Sequence, residues 1–290
     1  MRKIFAAVLC LIPTVGFALD TPHDEKFDLN IRRIGVDWTK TQIGHAREYA
    51  NSPDAAFTAT SQDSFVGVFD TALEYGFDRL RWDNSLFMTY GKTTLRPYDA
   101  PPTKDEKADK ILFLSDLSYA VWDWEDVKLG PIVRAEYETE FVGDPRRRIA
   151  RPNAGIALFD HAVFKTLYLT AVYENDFTYL DDTVSKFATE LGWRAEYEIR
   201  EGVRFNSDGY YREYWDYSRY VGTDFRRDLS VNARLDTNLW GDFTFGPYVN
   251  YRRAKARAAE HYGSNMTVGL SFNYINKFNL RRAESLHDGK

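Results

Sequence analysis

The chain has 290 residues, 44% of them hydrophobic, 16% aromatic and 28% charged, with a net charge of -5 and a mean hydropathy of -0.49. So polar an average excludes a helical membrane protein, and the lack of a basic excess argues against nucleic acid as a partner. The 19 Tyr, 20 Phe and 7 Trp instead suit a sheet with one wet face and one greasy face.

Reading from the start, Arg2 and Lys3 precede an apolar stretch from Ile4 to Val15 and a small-residue site at Gly16, Phe17 and Ala18. That order is a secretion signal over residues 1–18, too short to span a bilayer. The only cysteine, Cys10, lies inside it, so the mature chain is expected to have no disulfide and to draw its stability from the sheet itself. Residues 19–28 read as a periplasmic lead-in, 29–278 as the barrel and 279–290 as a periplasmic tail.

Segments of alternating character follow. In 29–38 the alternation is broken, because Arg32 and Arg33 are successive and would take opposite faces. From Leu80, the residues Trp82, Leu86, Met88 and Tyr90 share a face, opposite Arg79, Arg81, Asp83, Ser85 and Thr89. Between 187 and 199, Phe187, Leu191, Trp193, Ala195, Tyr197 and Ile199 alternate with Glu190, Arg194, Glu196 and Glu198. Leu229, Val231, Ala233 and Leu235 oppose Asp228, Asn232, Arg234 and Asp236 in the same way. Phe243, Phe245 and Val249 oppose Thr244, Asn250 and Arg252. A side-chain period of two is the mark of a strand.

Tight turns near 75–78, 126–130, 160–163, 200–202 and 240–242 take turns with longer polar connections near 40–64, 92–107, 143–153, 179–183, 217–224 and 257–263. Short and long connections alternating along about twelve strands predict an all-β, transmembrane, antiparallel up-and-down barrel. Its turns would be periplasmic, its longer loops extracellular, and both termini would sit in the periplasm. The apolar faces would meet outer-membrane lipid and the ionic faces the lumen.

From Met266 to Phe278 the chain alternates and closes on an aromatic. In this it resembles the last strand of Gram-negative outer-membrane β-barrels, a porin-like class whose pattern covers nearly everything after the signal. The resemblance implies an outer-membrane location and insertion by the barrel-assembly machinery. Residues 279–290 depart from it, since these barrels usually stop at the aromatic.

The expected lumen lining is of mixed sign: Arg79, Arg81 and Asp83; Arg134, Glu136 and Glu138; Glu190, Arg194 and Glu196; Arg204, Asp208 and Arg212; Arg234, Asp236 and Arg252. Two consequences compete. Guanidinium and carboxylate walls can pass small polar or charged solutes by passive diffusion, or they can pair across a narrow interior and close it.

No metal or other cofactor is expected. Carboxylates two apart on a strand, such as Glu136, Glu138 and Glu140, stand about 6.5 to 7 Å apart and do not converge on one ion. An enzyme is not expected either. The only suggestive grouping is His261 with Ser264 and Asn265, a composition fit for acyl hydrolysis but without a supporting motif. The run from Tyr210 to Tyr220 could stack on planar ligands, but Tyr and Trp at this depth more often form an interfacial girdle.

Overall fold

A computed structural model describes residues 25–280, apart from 53, 59–60, 97–100, 102, 125–126, 144 and 220. The signal segment with Cys10, His23, most of the proline-rich connection at 97–102, and the tail beyond 280 with His287 lie outside the described residues.

Alternation makes strands, and the strands close on themselves. They are β1 (Glu25–Gly44), β2 (Ser61–Phe77), β3 (Leu80–Arg96), β4 (Thr103–Tyr119), β5 (Trp122–Trp124), β6 (Val127–Thr139), β7 (Arg148–Phe159), β8 (Phe164–Asp176), β9 (Val184–Arg200), β10 (Val203–Tyr217), β11 (Phe225–Trp240), β12 (Phe243–Ala256) and β13 (Gly263–Asn279). Strands consecutive in sequence pair antiparallel except β4 and β5; β4 pairs instead with β6, and β1 pairs with β13 over a long register from Asp28–Asn279 to Gly44–Ser264. The result is a closed twelve-stranded barrel. β5 is a three-residue strand laid on β6 within a periplasmic connection.

Two boundaries differ from the sequence reading. The first strand starts at Glu25 rather than 29. The turn placed at 126–130 falls earlier, because Val127 to Gly130 are already paired with β5 and β7. The tight turns are set by residues that accept a left-handed backbone: Asp78 (φ 52°), Asp160 (φ 59°), Gly202 (φ 74°) and Gly241 (φ 53°). Short hairpins need such residues to match the strand twist.

The irregular first strand has a physical cause. Opposite β2, Ile31 pairs with Thr71 and Arg33 with Asp70, so Arg32 is an extra residue, and the register to β13 slips at the same place. This bulge turns both Arg32 and Arg33 into the lumen, and it shifts the parity so that Ile34, Val36 and Trp38 face outward.

Outward side chains are apolar and exposed along the mid-height of the barrel, as Val133, Ile156, Leu191, Val268 and Leu270 show. Aromatics flank that band at both ends: Trp82, Tyr119, Tyr197 and Trp240 toward the turns, Tyr90, Tyr173, Phe187 and Trp215 toward the loops. In water so much exposed apolar surface would drive aggregation, whereas in a bilayer it is the solvated face. The chain is an outer-membrane β-barrel of the Gram-negative type.

Candidate functional site

The barrel encloses one large cavity of about 2680 Å3. Its lining runs from Lys26, Asp78 and Asn276 at the turn end to Tyr179, Arg219 and Val221 at the loop end. Arg81, Asp83, Arg134, Glu136, Glu138, Glu190, Arg194, Glu196, Arg204, Asp208, Arg212, Arg234 and Arg252 all line it. Asp236 points inward but is buried at 2% exposure, held by Arg234, Asn206 and Thr244. Arg79 is a correction: it stands exposed in the β2–β3 turn, one residue before the ladder begins, and does not line the cavity.

The ionic groups pair along the wall. Arg134 forks onto Asp116 at 2.6 and 2.5 Å, and these two residues face each other on adjacent strands. Arg151 bonds Glu136, its direct cross-strand partner. Arg212 bonds Glu190 in the same relation. Arg81 with Asp83 and Arg194 with Glu196 lie two apart on one strand. Neighbours on one face of a sheet sit close enough to pair without leaving the wall, so these bridges do not cross the axis.

The network is continuous over half the circumference. Arg134 stacks 3.9 Å over the Tyr168 ring, whose hydroxyl donates to Glu190 at 2.7 Å. Glu190 accepts from Arg212, which also reaches Glu174. Glu174 gathers Arg151 at 2.6 Å, Lys186 at 2.7 Å and the Tyr214 hydroxyl at 3.1 Å. Arg151 then closes on Glu138 at 2.9 Å. Buried charges are tolerable here because every one has partners.

The sequence reading missed Arg32, Asp70, Asp116, Arg151 and Glu174, all of which line the cavity. Most were legible as charges inside alternating segments. It also missed an apolar strip on β2–β4, where Val66, Val68, Phe87, Leu112 and Leu114 line the lumen. The run Ile-Leu-Phe-Leu at 111–114 carried the signal, since it does not alternate and so must put leucines inside. The 210–220 cluster divides by parity. Tyr210 and Tyr214 join the lumen network through Asp228 and Glu174, while Trp215 is exposed on the outer face.

At the loop end the first connection, between β1 and β2, folds over the mouth. Tyr49 and Phe57 are buried against Ala254 and Ala256. The Tyr49 hydroxyl lies 3.0 Å from the carbonyls of Ala254 and His261 and accepts from the Ala256 N–H. Asn265 donates to the Ala56 carbonyl at 2.7 Å, and Asp54 takes an ion pair from Arg252 at 2.5 Å. Burial works against the Asp54 carboxylate, but Arg252, Arg147 and the Ala56 N–H outweigh it and hold its pKa below the ordinary value. Arg147 is likewise buried yet kept more firmly charged by Glu138 and Asp54. At the loop's start the His45 and His261 rings stack with centroids 4.9 Å apart. Glu48 accepts from the His261 N–H and pairs with its ring, which lowers the Glu48 pKa.

The proposed hydrolytic grouping is not assembled. Ser264 and Asn265 are successive on β13 and take opposite faces, Asn265 lining the cavity and bonding loop 1, while His261 is committed to Glu48. Among the described residues no cluster of three or more His, Cys, Asp or Glu is placed to hold a metal ion.

No protein-family model matches the chain and no curated protein matches it. Solved structures of similar architecture include the outer membrane phospholipase A from Escherichia coli, 11% identical with a TM-score of 0.45, covering 84% of this chain and 90% of that one. An outer membrane channel from Pseudomonas putida F1 is 12% identical with a TM-score of 0.41, covering 91% and 99%. The NanC porin is 10% identical with a TM-score of 0.40, covering 82% and 98%. The likeness is one of barrel architecture.

Proposed function

We propose that this barrel is a passive channel for small polar or charged solutes. One observation carries the reading: most ionic side chains of the lumen pair with neighbours along the wall, although Arg81 also reaches Asp160 in the β7–β8 turn, and the cavity is lined from one rim to the other. A closed, salt-bridged interior would instead need bridges between opposite walls. Mixed charges on the lining favour hydrated polar solutes over apolar ones. The first extracellular loop, seated on β12 and β13 with Asp54 on Arg252, narrows the outer mouth. Recognition of β13 by the barrel-assembly machinery belongs to the same reading.

The test is electrical. Purified protein in a planar bilayer should give discrete current steps in KCl. A bilayer that stays silent while the protein shows heat-dependent gel migration, the sign of a folded barrel, would overturn the reading.

A further inference from the structure

Part of the way up from the turn end, the lumen carries a ring of charges that differs from the rest of the wall. Arg32 on β1, Asp70 on β2, Arg194 on β9 and Asp208 on β10 each stand five to seven residues from the periplasmic end of their strand. All four line the cavity. β1 and β2 form one side of the barrel; β9 and β10 lie nearly opposite.

Each side offers one cation beside one anion. Arg32 is 3.9 Å from Asp70, and Arg194 is the direct cross-strand neighbour of Asp208. Across the lumen, however, like faces like. Arg32 feels repulsion from Arg194, and Asp208 feels repulsion from Asp70. The two walls therefore cannot satisfy each other.

The groups are also under-used. Among the described residues the buried Nε of Arg32 has no hydrogen-bond partner, and its ion pairs with Asp70 and Glu74 are long, 3.9 and 3.8 Å. Glu74 is already engaged by Asn30 and Lys277. Among the described residues Asp208 receives only the Asn232 amide, at 2.8 Å, and Arg194 gives one bond to Glu196. Elsewhere in the lumen, carboxylates such as Glu174 collect three or four donors.

A ligand that relieves both repulsions must carry an anion and a cation a few ångströms apart. Beside Asp70 the wall turns apolar, since Phe87 is its direct cross-strand neighbour and Leu112 follows on β4. We propose that this waist binds a zwitterionic small solute, an α-amino acid with an apolar side chain. Its carboxylate lies between Arg32 and Arg194, its ammonium between Asp70 and Asp208, and its side chain against Phe87 and Leu112. The proposal rests on the channel reading and names the solute class for it. Charge-assisted contacts of this kind discriminate strongly, because an uncharged analogue leaves all four groups unrelieved.

The experiment is single-channel recording in KCl with additives on one side. L-leucine should interrupt the current, and its uncharged hydroxy-amide counterpart should not, at concentrations roughly tenfold higher. The Asp70→Asn/Asp208→Asn double variant, and separately Arg194→Gln, should weaken the block by about tenfold or more while KCl current persists. The proposal is overturned if the hydroxy-amide, or 4-methylpentanoate with the anion alone, blocks the wild-type channel as well as leucine does. That result leaves the channel itself standing. Absence of KCl current in the wild-type protein is the separate result that removes the channel reading.

Discussion

Truncating Tyr49 should unlatch the first extracellular loop from the mouth of the lumen. The side chain is 2% exposed, its ring sits 5.7 Å from Phe57 and 6.4 Å from Phe225, and its hydroxyl is bracketed by two carbonyls and one N–H of the β12–β13 end. Tyr49→Phe keeps the ring and strands buried polar groups, a cost of about 1 to 3 kcal/mol. Tyr49→Ala also removes the aromatic packing and leaves a cavity, which brings the cost to about 3 to 5 kcal/mol. At about 1.4 kcal/mol per factor of ten, the alanine variant shifts the docked-to-undocked ratio of the loop by more than roughly a hundredfold. Trypsin added outside intact proteoliposomes reads that ratio by cutting after Arg47, which is exposed but lies in a turn held by its neighbours. Cleavage rate and unit conductance should both be highest for Ala, lower for Phe and lowest for wild type. Equal rates and equal conductance for the three proteins would refute the latch.

Acid should loosen the same loop. Asp54 has a folded-state pKa below the ordinary 3.8, so its contribution is fully present above that value and is lost as pH falls through the lower folded one. Conductance of the wild type should therefore increase on acidification below about pH 4, and Asp54→Asn should show the increased conductance at every pH. Glu174→Ala takes from Lys186 the carboxylate it pairs with and removes one of several partners from Arg151 and Arg212 inside the wall. We expect a loss of about 3 to 5 kcal/mol, read as a lower temperature for the heat-dependent gel shift. Leu270→Arg puts a charge on the lipid face midway along β13. It should cost about 2 to 4 kcal/mol and reduce the inserted fraction, whereas Thr267→Arg, on the lumen side, should insert normally and change ion selectivity.

Most of the barrel could be read from the chain because its two solvents are so unlike. Lipid and water on opposite faces impose a period of two, which is why β12 from Phe243 to Arg252 could be assigned inside and outside from residue type alone. Where the period fails, the reason is local geometry that residue type does not encode. Arg32 and Arg33 contradict each other until the bulge makes them allies, and 111–114 breaks the alternation because one wall of the lumen is itself greasy. Arg79 was misplaced by a single residue, since alternation does not reveal where a ladder stops and a turn begins. The pairing of charges was less legible still. Arg151 and Glu174 meet only because β7 and β8 set them in one row, and the inward fold of the first loop depends on Tyr49 reaching backbone atoms some two hundred residues away.

The extra residue at position 32 has a bearing on how the cylinder is sealed. Both flanking ladders, to β2 and to β13, slip there, so it works as a phase shifter at the seam. Deleting one of the two arginines would remove the bulge and leave the parity of β1 intact, whereas an unbroken zigzag through both would rotate everything beyond them by half a period. Ile34, Val36 and Trp38 would then be driven toward water and Asp37 and Thr39 toward hydrocarbon, so the seam would face a choice between the wrong solvent on one strand and an unjoined edge.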